Sequence, residues 1–263
     1  MKLAHYWTRQ PGEATARDGS RIRVVSRGWS DESMEQAAVV ARYIAQRVAR
    51  RIVSGDTKSQ QYMYGDRPLP EPILRQFQNG ARPRAMITRN MYGALVMNAQ
   101  TLMFVDVDRE ENRAHTVSND VQRVTEANGL AARLYKTAGG YRVLITNVPF
   151  EPGSPQSENL LRQFASDPLY VRLCQMQQSF RARLTPKPWR CGLTVPPVSF
   201  PYETPGDHAH FSQWEAAYQA KTAGYATCRY LATFGGVRIL PEFEDLVYDH
   251  DQETKANSQL PLA

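Results

Sequence analysis

The sequence predicts an α+β protein, an antiparallel sheet with helices packed on it, and three observations carry that expectation. Apolar runs at 85–88, 94–97 and 102–108 are joined by connections of only a few residues, too short for a crossover, so they read as an antiparallel meander. Runs at 132–137 and 141–146 flank Gly139-Gly140, the composition of a hairpin bend. Apolar residues recur at helical spacing at 37, 40, 41, 44, 48 and 52, and again at 169, 173, 176, 180 and 184.

A chain of 263 residues buries a core without covalent staples, and one α+β domain over 1–263 is expected. Within it, 1–84 is an N-terminal helical and strap region and 85–150 the central sheet with the aspartates and the Gly-Gly hairpin. The remainder, 151–263, is helical and proline-rich. Three cysteines, Cys174, Cys191 and Cys228, with no CxxC pair, indicate neither a disulfide framework nor a zinc ribbon, which fits a reducing cytoplasmic setting. No stretch approaches the ~20 apolar residues of a membrane span, so no membrane partner is expected. The net charge of +6 permits a phosphate-bearing partner, nucleotide or nucleic acid. The sequence sets no oligomeric state.

In chain order, 21–26 is a short strand after the turn Arg17-Asp-Gly-Ser. Ser33 caps a helix that ends at Gly55, with Arg42, Arg47, Arg50 and Arg51 on its polar side. Residues 62–83 form a proline-rich strap with regular structure returning at 73–78. After the meander, charged residues 109–113 are expected at the surface, and Ser118 or Asn119 caps a helix through Val121 and Val124 to Gly129. Asp167 caps a helix reaching Leu184 whose stripe is core. The basic segment 181–191 follows, irregular because of its prolines. A helix at 212–222 and a short strand at 237–240 complete the series.

Chemistry concentrates at Leu102-Met-Phe-Val-Asp106-Val-Asp108. Carboxylates at i and i+2 of a strand share one face, about 6–7 Å apart at the backbone. Together they suit a hard divalent cation, Mg²⁺ or Mn²⁺, which would bridge nucleotide phosphates. The segment Arg181-Ala-Arg183-Leu-Thr-Pro-Lys187-Pro-Trp189-Arg190 offers cations and an aromatic face to phosphate and nucleic acid. Its structural reading has Trp189 plugging the core and the arginines paired with acidic neighbours. His208 and His210 have the spacing of a metal pair on an extended segment but no third ligand nearby.

The order strand-Asp106-Val-Asp108, helix, then a hairpin bearing Thr137-Ala-Gly139-Gly140-Tyr-Arg142 resembles the palm-like core, related in shape to the RNA-recognition fold, of the archaeo-eukaryotic primase or primase-polymerase superfamily. That family carries DxD or DxE on its first core strand and an S-G-x-G-x-H type turn on the next hairpin. The resemblance implies a nucleotidyltransferase with Asp106 and Asp108 as catalytic metal ligands. Thr137, Gly139, Gly140 and Arg142 would lie along nucleotide phosphate with Arg183, Lys187 and Arg190, while Arg181 and Trp189 would touch nucleic acid. Arg142 stands in place of the family's histidine and Thr137 in place of its serine, which leaves open a protein that binds nucleotide without turning it over. Asp249 and Asp251 are the candidates for a third carboxylate.

Two other readings compete. In a haloacid-dehalogenase-like phosphohydrolase, Asp106 would be the nucleophile and Asp108 the acid/base, with Thr146 of Val143-Leu-Ile-Thr-Asn147 holding phosphate. That fold needs parallel neighbours for the Asp106 strand. A non-enzymatic basic module would use the arginine helix and the Trp189 segment to bind nucleic acid or a protein.

Overall fold

The computed structural model describes residues 1–55, 67–80, 82–108 and 117–263. The expectations for 62–66 and for 109–113 therefore lie outside the described residues. In chain order the elements are β1 (Tyr6–Thr15), β2 (Arg21–Ser30), α1 (Met34–Ser54), β3 (Ile73–Asn79), β4 (Arg82–Arg89), β5 (Leu95–Ala99), β6 (Phe104–Asp108), α2 (Val117–Asn128), β7 (Ala132–Thr137) and β8 (Gly140–Ile145). They continue with α3 (Pro155–Gln163), α4 (Pro168–Gln177), β9 (Phe180–Arg183), α5 (Pro205–Thr222), β10 (Cys228–Phe234) and α6 (Glu244–Thr254). The strands form antiparallel sheets, as the sequence predicts, of order β1-β2, β3-β4-β5-β9 and β10-β7-β8-β6. No helix among the described residues is long and apolar enough to cross a membrane.

Helix α1 has the expected ends. Ser33 Oγ accepts the Gln36 amide at 3.2 Å, and Gly55 closes the helix at φ 68°. Its buried stripe, however, is Ala37, Ala41, Ala45 and Ala49 rather than the valines and isoleucines. The glycines of the β1-β2 hairpin explain the choice: a Cβ on Gly28 would lie 2.2 Å from Ala41 N, and one on Gly12 would lie 2.4 Å from the Ala45 carbonyl carbon. Hairpin and helix backbones touch, so only alanine fits between them. Gly28→Ala is expected to cost about 2–3 kcal/mol in urea melts by forcing the layers apart, whereas Gly19→Ala, whose Cβ would meet nothing within 4 Å, tests only the strain of its positive φ of 83°. Strand β1 is not visible in the sequence because Pro11 and Gly12 interrupt its alternation.

The expected three-strand meander divides. Strand β4 pairs with β3 and β5, but β5 takes β9 as its other neighbour, and β6 joins the third sheet beside β8. Leu102 and Met103, both at 0% exposure, carry the β5-β6 connection through the core, so no surface turn forms there. The helix expected to reach Leu184 ends at Gln177. Gln178 turns the chain at φ 52°, and 180–183 leave as a strand. Its stripe mixed two elements: Leu169 is 75% exposed, and the buried helix face is Tyr170, Cys174 and Gln177. Helix α2 starts at Val117, so Ser118 and Asn119 lie inside its first turn. Helix α5 starts at Pro205 behind a Thr204–Asp207 capping box, earlier than expected, and 237–240 form no strand.

Sheets two and three meet where β9 approaches β6. The Tyr170 hydroxyl joins their edges, accepting the Arg181 amide at 3.2 Å and donating to the Phe104 carbonyl at 2.9 Å. Ser166 Oγ and the Asp167 amide both donate to the Asp106 carbonyl, at 3.0 and 2.9 Å. The outer edge of β6 is thereby capped rather than left open, and the residue that carries the first carboxylate is fixed through its own backbone.

Candidate functional site

Strands β6 and β7 run parallel with β8 antiparallel between them, and α2 makes the connection. Alternation along a strand then places Phe104, Asp106 and Asp108 on one face with Leu144, Arg142 and Gly140, their register partners on β8. Asp108 sits opposite Gly140, beside the turn that closes the β7-β8 hairpin. Thr137, at the end of β7, is buried, and its Oγ1 accepts the Gly139 amide at 3.3 Å. The dehalogenase-like reading fails on this topology: every partner of the Asp106 strand is antiparallel, and the Thr146 hydroxyl is buried and donates to the Arg238 carbonyl at 2.7 Å.

Three cations, Arg142, Arg183 and Lys187, lie near the two carboxylates, and a fourth, Arg190, lies beside the hairpin. Arg142 is 5% exposed and donates from Nη1 to the Arg183 carbonyl at 3.0 Å. Burial lowers Arg183 to about 10, helped by the charges of Arg142 and Arg190 and opposed by Asp106. Burial and the same neighbours, Arg183 and Arg190, lower Lys187, against the pull of Asp106 and Asp108. Arg190 packs over the hairpin, its Nη2 3.3 Å from where a Cβ of Gly139 would stand, so a side chain there would displace the guanidinium slightly. The Nη1 atoms of Arg183 and Arg190 are shielded from solvent and have no hydrogen-bond partner among the described residues. Buried donors without acceptors are costly and rare in folded proteins. Arg183 lies close enough to Asp106 to oppose the rise in its pKa, and Arg190 lies against the hairpin whose Gly140 faces Asp108.

Helix α5 holds the segment that supplies Lys187, Trp189 and Arg190. The Tyr218 hydroxyl donates to the Pro186 carbonyl at 2.6 Å, the Trp214 indole donates to the Thr194 carbonyl at 2.9 Å, and Phe211, Trp214 and Tyr218 form their own apolar cluster. Trp189 does not plug the core: it is 49% exposed, edge-on to Tyr92 at 5.3 Å and under the Lys187 ammonium at 5.5 Å. Arg181 is separated from this group. It lies on β9 in the second sheet, buried, with Nη2 on both oxygens of Glu71 at 2.8 and 3.0 Å and Nη1 on Asn98 Oδ1 at 2.5 Å. Its donors are occupied internally, so it offers nothing to nucleic acid.

The candidates for a third carboxylate are occupied elsewhere. Asp249 pairs with Arg75 at 2.8 Å. Asp251 accepts from Arg133 at 2.6 Å and from the Tyr135 hydroxyl at 2.8 Å, and faces His250 Nδ1 at 3.0 Å. His208 and His210 sit on helix α5, where an i, i+2 spacing directs them apart. Among the described residues no group of three or more metal-ligating side chains forms. His250 was not legible as a site residue. It lies fully buried against Phe104 and Tyr135, with Nε2 3.0 Å from Arg142 Nη1, in an acidic helix that carries no local motif. Since Arg142 can only donate, this contact holds Nε2 as the acceptor and the ring proton on Nδ1 toward Asp251.

No family model, curated protein or solved structure matches the chain.

Burial raises the Asp106 pKa, with Asp108 and Asp167 acting in the same direction and Arg142 and Arg183 against it. A carboxyl raised on folding binds its proton more tightly in the native state, so its contribution to stability is present at low pH and is lost as pH rises through the raised value. Asp106→Asn is therefore expected to melt above wild type at pH 7, with the gap closing toward pH 4. Thermal melts across that range check the sign.

Proposed function

We propose that the cleft between β6, the β7-β8 hairpin and the 183–190 segment binds the phosphates of a nucleotide, and that Asp106 and Asp108 hold a divalent cation, Mg²⁺ or Mn²⁺, against them. The observation that carries the reading is the pair of buried arginine Nη1 atoms without an acceptor among the described residues, on Arg183 near Asp106 and on Arg190 beside the hairpin that faces Asp108. A phosphate has oxygens for both guanidinium groups at once, and the cation would offset the carboxylates that otherwise repel it. The resemblance to the primase-polymerase palm supports the same assignment: aspartates on the first strand, and Thr137, Gly139 and Gly140 at the hairpin. Two acidic side chains and an arginine in the histidine position favour binding over turnover.

Isothermal titration of a nucleoside triphosphate with Mn²⁺ tests it. Wild type is expected to bind, and Asp106→Ala with Asp108→Ala to lose the metal-dependent part of the affinity, about tenfold or more. Equal and negligible heats for both proteins would sink the reading. Because the Asp106 proton competes with the metal, the affinity for Mn²⁺ is expected to rise with pH through and above the ordinary carboxylate range.

A further inference from the structure

The unit formed by β1, β2 and α1 carries a second charged surface, remote in sequence from the cleft. Residues 1–55 hold ten basic and five acidic side chains, which is five of the chain's six net positive charges. The charge is segregated within the unit. Asp31, Glu32 and Glu35 lie at the start of α1, whereas Arg42, Arg47, Arg50 and Arg51 run from near its middle to its last turn. Gly28 packs over Ala37 and Ala41, and Gly12 packs over Ala45, so the hairpin runs along the helix with its tip at the helix C-terminus. Gln46 fixes that alignment through its Nε2, which donates to the Glu13 carbonyl at 2.7 Å. Arg17, Arg21 and Arg23 therefore lie toward the same end, Arg21 lining one depression with Arg50, although Arg21 and Arg23 project from the hairpin face turned away from α1.

Among the described residues six arginines, Arg17, Arg21, Arg23, Arg47, Arg50 and Arg51, thus lie toward one end with Glu13 and Asp18, and Arg42 extends the helix row toward its middle. Among the described residues the ion pair they make is Arg23 with Glu13, at 3.7 Å and exposed on both sides. Glu13, Thr15, Arg21, Gln46, Arg50 and Ser54 line an open depression of 670 Å³ there. Complementing the helix dipole accounts for basic residues in the last turn only. It does not reach Arg42 or Arg47, nor the hairpin. The outward helix face opposite the buried alanines bears Tyr43, Arg47 and Arg50, with the Arg47 guanidinium over the Tyr43 ring at 5.5 Å.

We infer that this arginine-rich end is a sequence-independent contact for the phosphate backbone of a nucleic acid, separate from the cleft. Arg42 to Arg51 spans about 13 Å along the helix axis, the rise of about four nucleotides of one strand. Guanidinium groups grip individual phosphate oxygens with paired donors, which favours a phosphate ladder over a diffuse anionic surface. The tight Gly-Ala seam anchors the helix to the hairpin, so the helix arginines keep their spacing.

The test is fluorescence anisotropy of a labelled mixed-sequence duplex of about twenty base pairs, without metal or nucleotide, from 25 to 200 mM KCl. Wild type is expected to bind at low salt with a steep loss as salt rises. Arg42→Gln with Arg47→Gln and Arg50→Gln is expected to lose more than tenfold in affinity at the lowest salt and to flatten the salt slope by about 2–3. The matching triple lysine variant keeps the charge and is expected to recover most of the affinity, which separates loss of charge from loss of fold. An unchanged slope in the glutamine variant, or no duplex binding by wild type at 25 mM KCl, would overturn the inference. So would a triple variant that releases vesicles rich in phosphatidylserine while holding the duplex as wild type does, since the surface would then serve a membrane. Failure of the cleft reading shows only in the nucleotide and Mn²⁺ titration, so the two outcomes are distinguishable.

Discussion

Glu71→Ala is expected to destabilise the protein by about 3–5 kcal/mol in chemical denaturation. The Glu71 and Arg181 side chains are 5% and 7% exposed, and the carboxylate takes both donors of one guanidinium nitrogen's reach at 2.8 and 3.0 Å. Glu71 Oε2 also accepts the Thr88 hydroxyl at 2.5 Å, and Asn98 bonds to both Thr88 Oγ1 and the Arg181 guanidinium. This network ties the segment before β3 to β4, β5 and β9, three of the four strands of the second sheet. Alanine at 71 leaves a buried cation without its counter-charge. Glu71→Gln keeps the Thr88 contact and is expected to cost less. The pair Glu71→Leu with Arg181→Met removes both charges at similar volume and is expected to return most of the loss, because a buried ion pair repays little beyond its own desolvation. A loss for Glu71→Ala no greater than that of an exposed pair such as Arg162 with Glu158 would refute the assignment.

Arg181 also shows where sequence reading reached its limit. Arg181, Arg183, Lys187 and Arg190 sit within ten residues of chain and look alike as a basic segment. Distant contacts separate them: Arg181 reaches Glu71, far away in sequence, while Arg183 at the end of β9 and Lys187 after it feel the charge of Asp106, and Arg190 lies against Gly139 of the hairpin. Nothing local in the sequence marks that division. The aspartate pair, the Gly-Gly hairpin and the Ser33-to-Gly55 helix were legible because each is written in spacing of a few residues. The partner of β5, the capped edge of β6 and His250 behind Arg142 were not, because each depends on a contact between residues far apart in the chain. The long helix expected to run to Leu184 failed for a related reason. A 3.6-residue period continued by chance across Gln178 into a strand, and only the left-handed turn at Gln178 separates them.

Removing the two cleft arginines should have opposite effects on stability and on binding. Arg183 and Arg190 each bury a donor that no described residue accepts, and Arg142 and Lys187 stand close enough to repel them. Such an arrangement costs the empty protein free energy. It is the reverse of the Glu71–Arg181 network, where every charge is matched. Arg183→Ala with Arg190→Ala is therefore expected to leave stability unchanged or slightly raised, with Arg183→Met as the companion if the cavity left by alanine offsets the gain. The same double variant is expected to lose about two to four orders of magnitude in triphosphate affinity, since each charge-assisted contact contributes about 1.5–3 kcal/mol. Denaturation and titration on one preparation give both numbers. If the pair were merely structural, stability would fall and phosphate binding would not be selectively lost; a double variant that unfolds early and binds triphosphate as wild type does would remove the cleft from consideration. A site that is strained when empty and satisfied by its ligand is the physical signature of binding, and it puts the decisive measurement on Arg183 and Arg190 rather than on the aspartates that first draw the eye.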